Sequence, residues 1–296
     1  MKNTLNKQAI TQKAGRFIIN GLFWFCVCIV AFFCLQVFLF TSFKIPSDSM
    51  KPGLVTGDNM LVNKAIYGAR LFDLSDALAN KQVPVYRLPG VGEIRHNDIA
   101  VFHFPHPKTW ERIEMHLMKY YVKRCIGLPG DTLRIENGFY INSHCPSVGN
   151  LESQKSVSLR AENTFDEEVY RAFPFDSIMG WNIRHFGPLY IPRKGDTIDL
   201  ERTNYLLYKK LIEWEQQTTL VYKDSTAYLN NRPVSLYQFK HNYYFMAGDR
   251  LEDSQDSRYW GLLPEDYIVG KAWIIWKSVD PHTGKFRWER FLKKIN

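Results

Sequence analysis

The stretch PSDSM sets Ser47 and Ser49 on either side of Asp48. A serine hydroxyl attacks a carbonyl poorly until a neighbouring base takes its proton. The chemistry available to these serines therefore depends on a base elsewhere in the chain. Histidine is the usual one, and the chain has His96, His103, His106, His116, His144, His185, His241 and His282. None stands in a triad signature such as G-x-S-x-G. HFPHP carries His103 and His106, but its prolines interrupt the helix that would aim both rings at a metal. They read as surface or strand histidines.

Lysine is the alternative base, and it must be neutral to act. At an ordinary pKa near 10.4, only about one lysine in 2,500 is neutral at pH 7. Apolar burial can lower that value by several units. In YYVKRCIGLPGD, strand alternation puts Lys123 on one face with Tyr121 and Cys125, and turns Arg124 away with Val122 and Ile126. A lysine on an apolar face is a candidate base. It is also what a strand lysine looks like when its stem lines the face and its amine reaches water, and this stretch alone favours that plainer reading.

A third polar run, GDRLEDSQDSRYWG, follows the apolar YYFMA and gathers Gly248, Asp249, Ser254, Asp256, Ser257 and Arg258. Its four acids lack the alternate spacing of an EF-hand, so a calcium loop is not expected. Taken alone it could be a polar surface loop.

The elements around these residues begin with a membrane segment. Phe17–Phe40 carries no charge, and as a helix it would reach about 36 Å against a hydrocarbon layer of roughly 30 Å. A cleaved signal peptide would be shorter and end in small residues, whereas here FLFTSFKIP follows. The stretch reads as a retained anchor. Lys2, Lys7, Lys13 and Arg16 precede it without an acid, which predicts a cytoplasmic N-terminus and a body on the far side of the membrane. PSDSM would then lie just beyond the outer surface. No later stretch is long and apolar enough to span.

The remainder is strand-like. NMLVNKAIYG, DIAVFHFP, KYYVKRCIGLPGD, DTLRIENGFYIN and KAWIIWKSV are short, β-branched and aromatic, with Gly, Pro and Asn-Gly punctuation. One helix is expected at TNYLLYKKLIEWEQQ, where Leu207, Leu211 and Trp214 share a face, as do Tyr208 and Ile212. TLRIENGFYINSHCP is echoed by TLVYKDSTAYLNNRPV, and PGDTLRI by KGDTIDL; the echoes suggest repeated hairpin geometry. The fold class expected is mainly β: a transmembrane helix, then an antiparallel, barrel-like domain with an inserted second subdomain. The divisions are 1–16 basic tail, 17–40 anchor, 41–142 first part of the core, 143–240 inserted accessory subdomain, and 241–296 last part of the core with a basic end. The insertion itself suggests no function.

The net charge of +8 lies partly at the two ends, beside the apolar segment. That placement suits anionic lipid and argues against nucleic acid. GKFRWERFLKK could rest on headgroups with Phe286, Trp288, Phe291 and Leu292 partly buried, or form a solvated C-terminal helix. Cys26, Cys28 and Cys34 fall in the anchor. Cys125 and Cys145 could pair outside the cytosol, but two lone thiols are the plainer reading.

Three stretches taken together resemble the type I signal peptidases, the membrane-bound Ser–Lys proteases also called leader peptidases. PSDSM looks like the nucleophile box, GDNMLVNKAIYG the strand box that follows, YVKRCIGLPGD the lysine box and GDRLEDSQDSRYWG the last box. The match covers Ile45–Gly68, Asp98–Asp131 and Tyr243–Trp276. Any single box is weak; the four in order behind an anchor are specific. The resemblance implies Ser49 as nucleophile and Lys123 as general base. Ser47 and the Ser49 N–H would form the oxyanion hole, and Ser254 would orient the Lys123 amine. Asp256 and Arg258 would brace the loop as an ion pair, with Gly248, Asp249, Met50 and Tyr121 in support. The plain alternative for Asp256–Arg258 is a surface pair of little energetic value. The last box commonly reads GDNRDNS-x-DSR, so Arg250, Leu251, Glu252 and Asp253 depart from it, which puts substrate detail in doubt more than activity. Asp48 falls at a variable position, and its charge would raise the Lys123 pKa if the two are close.

The implied activity is serine endopeptidase cleavage of signal peptides from exported preproteins through an acyl-enzyme, with no cofactor or metal. The partners would be preproteins, the lipid bilayer and the export machinery, and no nucleic acid. The implied location is a bacterial inner membrane, single-pass, with the catalytic domain on the periplasmic side. An inactive membrane-anchored β domain that binds export substrates or a partner is the alternative. A self-cleaving Ser–Lys regulator would need a DNA-binding region that the sequence does not offer.

Overall fold

The computed structural model describes residues 2–79, 83–116 and 119–295. A helix, Lys2–Cys34, continues through one π turn, Leu35–Leu39. It thus begins well before the charge-free segment. Gly15–Leu39 has mean hydropathy 2.6 and no part of it is packed inside the protein, so by length and composition it can cross a bilayer. Lys64 Nζ donates to the Gln36 and Val37 carbonyls at 2.9 and 3.3 Å, satisfying acceptors that the helix end leaves open.

The body is built on one antiparallel sheet of eight strands. In chain order these are β1 (Phe40–Lys44), β2 (Asp58–Asn63), β3 (Ile99–His103), β4 (Tyr120–Gly127), β5 (Tyr243–Ala247), β6 (Leu263–Pro264), β7 (Ile268–Ser278) and β8 (Lys293–Lys294). Their spatial order is β1-β2-β7-β3-β4-β5-β6, with β8 added to β7. Register shifts in β5 and β7 mark bulges, which increase twist, and the sheet curls into a half-barrel.

Both faces of β3 are covered. Ile99 and Val101 of β3 pack with Met60, Val62, Val269, Ala272 and Ile275, whereas Ala100 and Phe102 join Cys125 in the larger core. This explains why DIAVFHFP is a continuous apolar run: every residue of β3 is buried.

The larger core is closed by a second sheet, Thr132–Glu136 with Phe139–Asn142 and Phe186–Tyr190. The internal echoes correspond to two kinds of turn. Asn137-Gly138 and Asp224-Ser225 join hairpins with both φ values positive, the turn whose twist suits a two-residue hairpin. Asp131 and Asp196 each accept from the N–H three residues earlier, Leu128 and Arg193. Asp58 and Asp98 repeat that bond with Val55 and Arg95. In all four turns the residue before the aspartate, Gly57, Asn97, Gly130 or Gly195, has positive φ, which Gly or Asn adopts most easily.

The expected helix forms at Arg202–Gln216 and buries Leu207, Tyr208, Leu211 and Ile212. Each buried apolar side chain contributes roughly 1.5–3 kcal/mol. The C-terminal stretch differs from the helix considered above. Trp288–Arg290 is a 3-10 turn and Lys293–Lys294 a short strand. Its geometry follows from a buried acid: Arg290 grips Asp58 through Nε and Nη2 at 2.9 and 2.6 Å, and Arg287 donates to Thr56 O and Ser278 Oγ. Part of the basic end is thus neutralised inside the fold. All five cysteines are free.

Candidate active site

Ser49 sits in the bend between β1 and β2. Met50 and Leu54, both buried, pack that bend down onto Ile45 and Met60. Ser47 lies exposed in the same bend. Asp48 faces elsewhere than the sequence considered: its carboxylate accepts from Thr56 N and Oγ1 at 3.0 and 2.7 Å and pairs with Lys51 at 2.8 Å. Those hydrogen bonds, the Lys51 contact first, hold its pKa down at about 2 despite some burial.

Lys123 lies mid-strand in β4, opposite Ala100 of β3. Its amine donates to Ser49 Oγ at 2.8 Å and the residue is 4% exposed. The plainer reading, an amine in water, does not describe it. Burial is the main cause that pushes its pKa down to about 8, and Arg258 adds to the effect. Asp256, Asp253 and Asp249 work against it. Tyr121 shares the face, with its ring 5.8 Å from the amine and stacked on Phe104 at 4.3 Å.

The strand β5 ends at Ala247, beside Arg124, and the loop after it folds back over the dyad. Gly248 is the tightest point. A Cβ there would come within 2.2 Å of Ser254 Oγ and 2.8 Å of the Ser49 carbonyl oxygen. Only a hydrogen on that carbon lets Ser254 and the Ser49 backbone converge. Ser254 is buried and its hydroxyl has no partner among the described residues. Asp256 Oδ2 accepts from Gly248 N at 2.9 Å, and the same carboxylate receives Arg258 Nε and Nη2 at 2.8 and 2.7 Å. Both residues are fully buried, not a surface pair. Burial by itself would raise Asp256, but Arg258 outweighs it and holds the carboxyl low.

Asp249 receives Arg124 Nε and Nη2 at 2.7 and 2.8 Å. Strand alternation shows Arg124 only as a cation turned away from Lys123; the fork it makes with Asp249 ties the lysine strand to the loop. Ser257, which accepts from Met246 N, was given no role. Neither pairing has a short-range signal in the sequence.

The histidines of HFPHP are both buried. Burial foremost, with Arg70 close by, keeps the His103 ring neutral, and Arg70 Nη2 donates to its Nε2 at 2.7 Å. His106 is pushed down to about 4, mainly by burial, and donates from Nδ1 to Arg112 O. Neither is a surface residue.

A family model described as "Signal peptidase, peptidase S26" matches residues 18–277. The signal peptidase I of Pseudomonas aeruginosa is 30% identical over 286 residues, spanning 93% of this chain and 75% of that protein. Those of two Buchnera aphidicola strains, from Schizaphis graminum and Acyrthosiphon pisum, are 29% and 28% identical. They span 89% and 96% of this chain, and 76% and 83% of their own lengths. With a family model across most of the chain and relatives matched over nearly its whole length, the chain belongs to the signal peptidase family, peptidase S26, and is a serine peptidase of the type that removes signal peptides.

Proposed function

We propose that the chain cleaves exported preproteins by a Ser49–Lys123 dyad. The observation that carries this is the 2.8 Å bond from a buried amine, its pKa depressed mainly by that burial, to the Ser49 hydroxyl. Neutral Lys123 takes the Ser49 proton as Oγ attacks the scissile carbonyl. The protonated amine then gives that proton to the leaving nitrogen as the C–N bond breaks, leaving an acyl-Ser49 ester. Lys123, neutral again, takes a proton from water, whose oxygen attacks the ester. The proton returns to Ser49 as the acid product leaves. Ser47 Oγ and Ser49 N–H donate to the oxyanion, each worth about 3 kcal/mol. Ser254, whose buried hydroxyl has no partner among the described residues, orients the amine when substrate binds.

Preproteins with small residues at the first and third positions before the bond are the substrates, bound as an added strand. The basic N-terminal tail stays in the cytoplasm and the body lies periplasmic, within reach of the export machinery and the membrane surface. The catalytic core is drawn from 41–142 and 241–296, with 143–240 as an accessory lobe.

The test is cleavage of an A-x-A preprotein by the full chain in detergent, mapped by mass spectrometry. Wild type should cut at the junction, and Ser49→Ala and Lys123→Ala should not. Equal cleavage by Lys123→Ala would remove it as the base. Binding without cleavage by wild type would mean a substrate-binding domain instead.

A further inference from the structure

The helix Leu151–Leu159 belongs to the stretch for which the sequence suggested no function. Its neighbours hold it in place. Asn150 caps it by accepting from Ser153 N, and Val157 is fully buried. Gln154, also buried, accepts from Tyr140 N and donates to Val148 O at 2.9 and 2.8 Å. The helix is therefore a fixed part of the second lobe.

From that fixed base it grips the loop that carries Ser254. Ser153 Oγ accepts from Leu251 N at 2.9 Å. Glu252 receives Arg160 Nη1 at 2.5 Å and Ser156 Oγ at 3.4 Å. Arg160 is itself held by Thr164 Oγ1 at 3.0 Å and lies over the Phe165 ring at 4.5 Å. The gripped residues form one 3-10 turn, Leu251–Asp253, too short to hold its own geometry. Its inner side joins the site: Arg258 Nη2 donates to Leu251 O at 2.8 Å while also pairing with Asp256. Leu251 is thus fixed through its N–H by the helix and through its carbonyl by the buried pair, three residues before Ser254. The four positions that depart from the usual last box include both residues the helix holds.

We propose that Ser153 and Arg160 are positioning residues, which act through Leu251 and Glu252 to hold Ser254 against the Ser49–Lys123 dyad. The proposal rests on the dyad reading. It makes the accessory lobe part of the catalytic apparatus, although among the described residues the helix bonds to Leu251 and Glu252 of the loop, not to the dyad.

The test uses the full chain in detergent with an A-x-A preprotein. The variants are Ser153→Ala, Arg160→Gln and their double, with Ser153→Thr as the conservative variant and Lys155→Ala as an exposed control on the same helix. Each is measured for kcat, KM and thermal midpoint. The double variant should lose about tenfold in kcat, the size expected when a part-buried N–H loses its acceptor and a charged contact goes with it. KM should stay put, Ser153→Thr should recover most of the loss of Ser153→Ala, and Lys155→Ala should match wild type. Unchanged kcat in the double variant would overturn the proposal. So would a loss confined to KM, which would make the helix a substrate contact, or a loss that Ser153→Thr fails to recover and that tracks the thermal midpoint. Ser49→Ala run alongside separates the two levels. If it is inactive while the helix variants behave as wild type, only the positioning role fails; if it still cleaves, the dyad reading fails.

Discussion

Replacing Lys123 by Met removes the amine and keeps a side chain of similar length, and it should make the protein more stable while abolishing cleavage. The amine's pKa drops from 10.5 to about 8 in the fold. That gap of roughly 2.5 pH units means the folded state disfavours the charged form by about 3 kcal/mol. Loss of the Ser49 hydrogen bond offsets about 1 kcal/mol, leaving a net gain of about 2 kcal/mol near pH 6–7. The sign follows from proton binding. Between the folded value near 8 and the unfolded value near 10.5, the unfolded chain keeps a proton that the folded chain has shed. Wild-type stability therefore rises with pH across that window, the full cost being present below pH 8. The advantage of Lys123→Met should shrink across the same window and turn above it into a deficit of about 1 kcal/mol, the lost hydrogen bond. Tryptophan fluorescence of the full chain in detergent, followed through denaturant titrations at pH 6, 8 and 10, would measure it. A variant less stable than wild type at pH 6, or a difference that stays constant to pH 10, would refute a desolvated lysine.

Cleavage should depend on pH through the same group. With half of Lys123 neutral near pH 8, the rate should fall about tenfold per unit below that; initial rates from pH 6 to 9.5 that stay flat below pH 7.5 would assign the limiting titration elsewhere. Asp48→Asn should leave that profile in place, because Asp48 is engaged by Lys51 and Thr56, and a shift in the profile midpoint would show that its charge reaches the amine. Gly248→Ala should cost at least about a hundredfold in kcat, since displacements of about 1 Å near reacting groups have that effect, with circular dichroism unchanged; near-normal activity would mean that Ser254 has room to move. Asp256→Asn leaves the charged Arg258 buried without a counter-charge and should destabilise by about 3–5 kcal/mol, whereas a double change of both to Leu should recover part of that, as read by thermal melts.

Much of this protein is legible in order along the chain. The charge-free segment, the strand runs, the Arg202–Gln216 helix and the hairpin turns are set by local pattern, so spacing and residue type suffice to find them. Ser49, Lys123 and Ser254 stood out only because motifs in a fixed order pointed to them; YYVKRCIG by itself reads equally as a lysine reaching water. Of the two readings open for HFPHP, the strand one holds for His103, which ends β3; the surface one fails for both rings, because nothing in five residues tells that the fold closes over them.

The sequence by itself thus determined the strand runs, the Arg202–Gln216 helix, the apolar segment and the residue types that could do chemistry, but not the helix Leu151–Leu159. Tertiary structure decided which of those groups meet and in what charge state. Lys123 and Ser49 are brought to 2.8 Å across a long stretch of chain. Asp256 and Arg258 change from a loop pair into a fully buried brace, and Arg124 finds Asp249 only once β4 and β5 are neighbours. The physical reason is range. Propensity and periodicity act over a few residues, whereas desolvation, which makes the lysine a base, depends on everything that packs around it.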